Sequence, residues 1–239
     1  MSAILDINTL FGPYPVANAD LAIEKLLASM QQNSITSAVT YSTLGVLFDS
    51  NIGNNATHSA CRENPSLLAG ATLNPNNYFG DKASLQNLKN NGFKLVRLFP
   101  KTQGWKATSY AFRTLAQDLS AVGLPLMIQT EDAGEMSEFA QALGAYSAPV
   151  IFANVDVEEV AELIAVLKAR PNTFVETSRL NGVGAIKAVA DLAGADKLLF
   201  GSGTPYQPTT SALKALEFSG LSGEARAQIL GANAHRILS

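Results

Sequence analysis

Eight short runs of β-branched and aliphatic residues alternate with amphipathic stretches along the whole chain, and no other feature constrains the fold as much. The runs are residues 3–7, 37–41, 67–72, 94–99, 125–129, 150–153, 173–177 and 197–201. The stretches between them repeat apolar residues with a helical period of 3.6. They cover 19–32, 82–90, 108–121, 134–143, 157–169, 183–192, 210–217 and 222–238, with a weaker one at 54–63 whose approach holds Gly53, Asn54 and Asn55. Asp81 and Asp156 stand where N-caps belong, and Pro171 follows the end of the fifth stretch. Strands separated by helices cannot be joined as hairpins, so they run parallel through right-handed crossovers. Eight such units predict an α/β fold of one kind, a closed (β/α)8 TIM barrel. The 239 residues suit a fold that typically takes about 250. No G-x-G-x-x-G follows the first run, so a dinucleotide-binding open sheet is not expected. One domain over residues 1–239 is the simplest organisation.

Charge narrows the function. The net charge is −3, from 17 basic and 20 acidic residues without a basic cluster, so a nucleic-acid partner is not expected. The single cysteine, Cys61, forbids an intrachain disulfide, and no apolar run approaches the ~20 residues of a membrane span. The segment from Met1 to Asp6 has no basic n-region, so no signal peptide and a cytoplasmic location are the expectations.

Three segments carry a family resemblance. Asp6-Ile7-Asn8-Thr9-Leu10-Phe11-Gly12 resembles a first-strand pattern Asp-x-His-x-His-x-Gly. Leu199-Phe200-Gly201-Ser202-Gly203-Thr204-Pro205 resembles a last-strand pattern ending Phe-Gly-Ser-Asp-x-Pro. The run from Gln228 to Leu238 resembles a terminal helix with Asn-Ala-x-Arg-Leu. The chain is thereby identified as similar to the amidohydrolase superfamily, in the branch of aminocarboxymuconate semialdehyde decarboxylase and pyrone-dicarboxylate lactonase. The resemblance implies a hydrolase or decarboxylase barrel with a divalent metal held at strand ends. The positions it implies as ligands hold Asn8, Leu10, Gln129, Asn154 and, for the catalytic aspartate, Gly203. Leu and Gly offer no donor atom, and neutral amides are weak zinc ligands. The expectation is a barrel without a metal site or other cofactor. His58 and His235, the only histidines, read as surface or packing residues.

Strand parity then nominates a site at the C-terminal face, where the long polar loops 42–55 and 100–107 also fall. Arg97 shares a strand face with Leu95 and Phe99 and suits a carboxylate or phosphate, or an internal ion pair with Glu176. Glu176, with Ser178 on its face, is a candidate general base or a structural acceptor for backbone donors. Asn8, Asn74, Gln129 and Asn154 form a ring of amides that suits a ligand or ordered water. Glu131 and Asp132 follow the fifth strand, Glu131 as an alternative base or both as helix N-terminal charges. Trp105, Tyr78 and Tyr206 lie in post-strand loops and are candidate pocket walls. Three functions compete: a non-catalytic barrel binding a small anion, a metal-free enzyme with Arg97 and Glu176 as catalytic pair, and a structural or homo-oligomeric scaffold with a vestigial, filled mouth.

Overall fold

A computed structural model describes residues 3–15 and 20–239. Eight parallel strands follow one another in chain order: β1 Leu5–Phe11, β2 Ser37–Ser42, β3 Leu67–Thr72, β4 Leu95–Leu98, β5 Leu126–Gln129, β6 Val150–Ala153, β7 Thr173–Glu176 and β8 Leu198–Leu199. The barrel closes between β8 and β1. Ile7 N–H donates to Phe200 O (3.0 Å), Gly203 N–H to Asn8 O (3.1 Å) and Leu10 N–H to Thr204 O (3.0 Å). This is the TIM barrel that the alternation predicts.

The strands sort their side chains by parity. On β4, Val96 and Leu98 pack outward against the helices, while Leu95 and the following Phe99 join an inner core with Ile7, Tyr41, Met127 and Ile151. Ala234 and Leu238 of the last helix belong to that inner core, so the C-terminal segment plugs the N-terminal end of the barrel. Its opposite end is left to the loops. Among the described residues no helix is long and apolar enough to cross a membrane.

Several boundaries differ from the sequence reading, each for a physical reason. β1 runs to Phe11 because its register against β2 shifts between Asp6 and Thr9, and the Thr9 hydroxyl bonds Val39 O (2.9 Å). Asn8 and Leu10 therefore lie within the strand rather than after it. β8 is short because Ala195–Lys197 forms a 3₁₀ turn and Phe200 N–H turns to Ile229 O (3.0 Å). The weak second helix is a firm one, Ser50–Glu63, capped by the Asp49 carboxylate on Ile52 N–H (2.9 Å). Gly53 sits in it because a Cβ there would meet Gly45 N at 2.1 Å. The polar loops hold short helices of their own, Thr43–Leu47 and Pro100–Gln103, the latter with Pro100 in its first turn. The final helix is broken into Gly223–Ala227, a π-helical stretch Gln228–Ala232 and Asn233–Leu238. The first helix covers Ile23–Gln32; Ala19 of the expected stretch lies outside the described residues, as do Met1 and Ser2 of the N-terminal segment.

Two residues at the β1–β8 seam have measurable consequences. A Cβ on Gly201 would meet Glu176 Oε2 at 2.2 Å, and Glu176 is itself held by three hydrogen bonds. Gly201→Ala should therefore cost about 1–3 kcal/mol of stability by overpacking, read from urea unfolding. Asp6 is 1% exposed. Its Oδ1 accepts from Asn8 N–H and Ser202 N–H, both at 3.0 Å, while Oδ2 has no partner among the described residues. Burial raises its pKa from 3.8 to about 7; bonds from Ser202 and Asn8 oppose this, and the charge of Glu176 adds to it. Between those values the folded state holds a proton that the unfolded chain has released, so stability falls as pH rises from about 4 to about 7. Asp6→Asn does not titrate. Its stability relative to the parent should improve by about 1.4 kcal/mol per pH unit across that window, and a flat difference in urea melts would show an ionised Asp6.

Candidate functional site

A cavity of about 500 Å³ opens at the C-terminal ends of the strands. Its floor is polar, with Asn8 from β1, Arg97 from β4, Gln129 from β5, Asn154 and Ser178 after β6 and β7, and Gly203 after β8. Leu10, Val46, Phe99, Tyr14 and Tyr206 supply apolar wall.

Arg97 organises the floor. It is 2% exposed, and parity on β4 turns it into the barrel. Nη1 donates to Asn8 Oδ1 at 2.5 Å and Nη2 to Gln129 Oε1 at 3.0 Å. The ring of Phe99 lies 4.6 Å from the guanidinium carbon and that of Tyr41 5.4 Å, a cation–π setting for a weakly hydrated ion. Burial holds its pKa below the usual arginine value, although Tyr41 and Glu176 favour the charge. A guanidinium has five N–H donors, and only those two bonds are made within the described residues. Nε is buried and has no partner among the described residues.

The amides pass polarity outward on both sides. Asn8 Nδ2 donates to Ser178 Oγ (3.3 Å), whose hydroxyl donates to Glu176 Oε1 (2.9 Å). Gln129 Nε2 donates to Glu131 Oε1 (2.7 Å), and Lys101 Nζ lies 3.6 Å from Glu131 Oε2. Glu176 is fully buried and does not pair with Arg97, so the internal ion pair is not formed. Glu176 instead takes backbone N–H bonds from Asn154 and Ser178, both 2.8 Å, besides the Ser178 hydroxyl. Asn154 can aim its N–H there because it adopts a left-handed φ of 66°, which asparagine tolerates better than most residues. Three donors thus hold both oxygens of the carboxylate in place. At the rim, Arg179 pairs bidentately with Asp156 (2.9 and 2.6 Å).

The other expected members are distributed unevenly. Asn74 is not in the cavity lining; its side chain accepts from Asn76 N–H (3.0 Å) and caps the 3₁₀ turn Pro75–Asn77, because Pro75 starts a turn immediately after β3. Trp105 stacks on Phe112 in the outer core (5.1 Å), and Tyr78 bonds Asp118 (2.9 Å) on the barrel exterior, so neither walls the pocket. Tyr206 does, edge-to-face with Tyr14 at 5.1 Å, and burial followed by its bond with Tyr14 pushes its pKa up. Glu131 lines the cavity, while Asp132 faces Lys101 (3.2 Å). His58 stacks on Phe93 and His235 is exposed. Burial pushes the Cys61 thiol up to about 11, away from nucleophilic use. Sequence reading missed Tyr14, Arg179 and Gln207. All three follow strand ends, the signal that found Tyr206.

The strand-end positions where a family metal is implied do not fit one. Leu10 and Gly203 carry no donor, and the oxygens of Asn8 and Gln129 already hold a cation. Asn154 Nδ2 donates to Thr130 O (3.1 Å). Among the described residues no three His, Cys, Asp or Glu side chains converge as a metal-binding group.

Comparison with known proteins agrees with this architecture. The structure is similar to that of 5-carboxyvanillate decarboxylase from Sphingomonas paucimobilis, with TM-score 0.78 and 13% identity over 100% of this chain and 99% of that one. It is similar to the Novosphingobium aromaticivorans 5-carboxyvanillate decarboxylase complexed with manganese and 4-hydroxy-3-methoxy-5-nitrobenzoic acid (TM-score 0.80, 15% identity, 99% and 96% covered). A candidate 2-pyrone-4,6-dicarboxylic acid hydrolase from Pseudomonas putida matches at TM-score 0.77 and 20% identity, covering 100% of this chain and 98% of that one. No curated protein sequence matches the chain. At such identities these structures show the fold alone. The family model described as Amidohydrolase, however, matches residues 27–239, and the chain therefore belongs to the amidohydrolase family.

Proposed function

We propose that this chain is a metal-independent member of its family that binds a small carboxylate-bearing molecule at the mouth of the barrel, with Arg97 as the anion anchor. One observation carries the reading. A guanidinium buried at the cavity floor is met by two neutral amide oxygens and no carboxylate, and three of its five N–H donors have no acceptor among the described residues. A buried cation left in that state is costly unless a counter-charge arrives. A ligand carboxylate would supply it with charge-assisted bonds, while Phe99, Leu10 and Tyr206 offer apolar contact to the rest of the molecule. The names of the similar decarboxylases and hydrolase also refer to carboxylic acids. An open cavity of about 500 Å³ counts against a vestigial, side-chain-filled mouth.

In this mechanism Arg97 binds and orients the carboxylate. Asn8 and Gln129 fix the guanidinium plane. Glu176 acts as a positioning residue, holding Ser178 and the Asn154 backbone. A second reading, metal-free turnover of the bound acid, is favoured by Glu131, which lines the cavity with its Oε2 3.6 Å from Lys101 Nζ. Glu131 rather than Glu176 would then be the base.

The test is calorimetric titration with benzoate, citrate and related small carboxylates in the presence of a chelator. Arg97→Gln should weaken binding roughly 10- to 100-fold, the loss of a charge-assisted bond of about 1.5–3 kcal/mol. Asn74→Ala should leave affinity unchanged and cost about 1 kcal/mol of stability as a lost cap. Equal binding by the parent and Arg97→Gln would remove Arg97 from the site.

A further inference from the structure

We infer that Asn8 and Gln129 form a cradle built for a guanidinium, and that Arg97 fills the place at these strand ends that would otherwise take a divalent metal ion. The inference concerns the resident cation rather than the ligand, so it deepens the proposed function but does not depend on it.

The polarity of the cradle is fixed from behind. Asn8 presents Oδ1 to Arg97 because its Nδ2 is occupied by Ser178 Oγ, whose own hydrogen goes to Glu176. Gln129 presents Oε1 because its Nε2 is held by a carboxylate, Glu131 Oε1, at 2.7 Å. Turning either amide over would set N–H against the guanidinium N–H groups and oxygen against an oxygen that needs a hydrogen. Two acids on opposite sides thus point two amide oxygens at one spot from β1 and β5. That spot suits a flat, weakly hydrated cation. The Phe99 and Tyr41 rings lie against it at 4.6 and 5.4 Å, and an aromatic face replaces none of the oxygen or nitrogen ligands that a divalent ion requires. The remaining positions agree. Leu10 and Gly203 line the same cavity without donor atoms, and no cluster of His, Cys, Asp or Glu forms there among the described residues. A divalent ion would moreover meet the fixed positive charge of Arg97 itself.

Removing the arginine side chain and offering cations in its place tests the cradle directly. Arg97→Ala leaves Asn8 and Gln129 with their acid partners. Its melting temperature should fall, and millimolar methylguanidinium should raise it again by several degrees while having no such effect on the parent chain. Manganese or zinc at the same concentration should not. Recovery by the metal ions instead of methylguanidinium, or by neither, overturns the inference. A second measurement does not need the variant to fold. The parent protein dialysed against manganese or zinc should retain far less than one equivalent. One bound equivalent, lost on Asn8→Ala or Gln129→Ala, also overturns it. Failure of every carboxylate to bind would defeat the proposed function and leave both of these measurements standing.

Discussion

The buried guanidinium of Arg97, seated between two amide oxygens, is the constraint on which the barrel mouth depends. It couples strands that are far apart in the chain: β1 through Asn8, β5 through Gln129, and β7 through Ser178 and Glu176. No member can be changed without exposing the polarity of the next. Asn8 without its oxygen leaves Arg97 with one anchor, and Asn8 without its nitrogen leaves Ser178 Oγ lacking a donor. Side-chain networks in a low-dielectric interior behave as units, and this one runs from Glu176 to Lys101 at the solvent edge.

The same residues also close the barrel. Asn8 accepts from Gly203 N–H through its backbone while its side chain seats Arg97. Asp6, two residues earlier, ties Asn8 N–H and Ser202 N–H to one carboxylate oxygen. Gly201 is small because the Glu176 carboxylate needs the space. Closure and site are therefore one construction at the β1–β8 seam. Of the resembled motifs, Asp6, Phe200 and Ser202 belong to this seam.

Much of this was legible in the sequence because it follows from period. Eight apolar runs and the helical repeats between them gave the barrel, and parity on residues 94–99 gave the inward Arg97. What escaped depends on contacts between distant strands or on local backbone. The shift in β1 between Asp6 and Thr9 comes from pairing with β2, which no local pattern encodes. Asn74 stands after a strand like the other amides, yet an asparagine before proline more readily caps its own turn. Glu176 has a near charge in Arg97, but Asn154 and Ser178 bring their backbone N–H groups to it first, and only the folded loops reveal that. Trp105 and Tyr78 lie in post-strand loops as Tyr206 does. The difference lies in their partners, Phe112 and Asp118, on helices outside the barrel.

The chemistry of the mouth bears on what preserves it. A barrel kept only as a scaffold gains by filling its open end with apolar side chains, because replacing buried ionic groups with well-packed hydrophobic residues is often neutral or stabilising. Here the floor holds a buried arginine, with a fully buried glutamate and a buried aspartate behind it; among the described residues Arg97 Nε and one Asp6 oxygen have no partner. Each opposes stability. Their cost is offset only in part by the bonds they make, and the cavity that Arg97 lines stays open. Departures from the most stable arrangement concentrate where a protein meets its ligand. The unused donors of Arg97 are the ones that the proposed carboxylate would accept from.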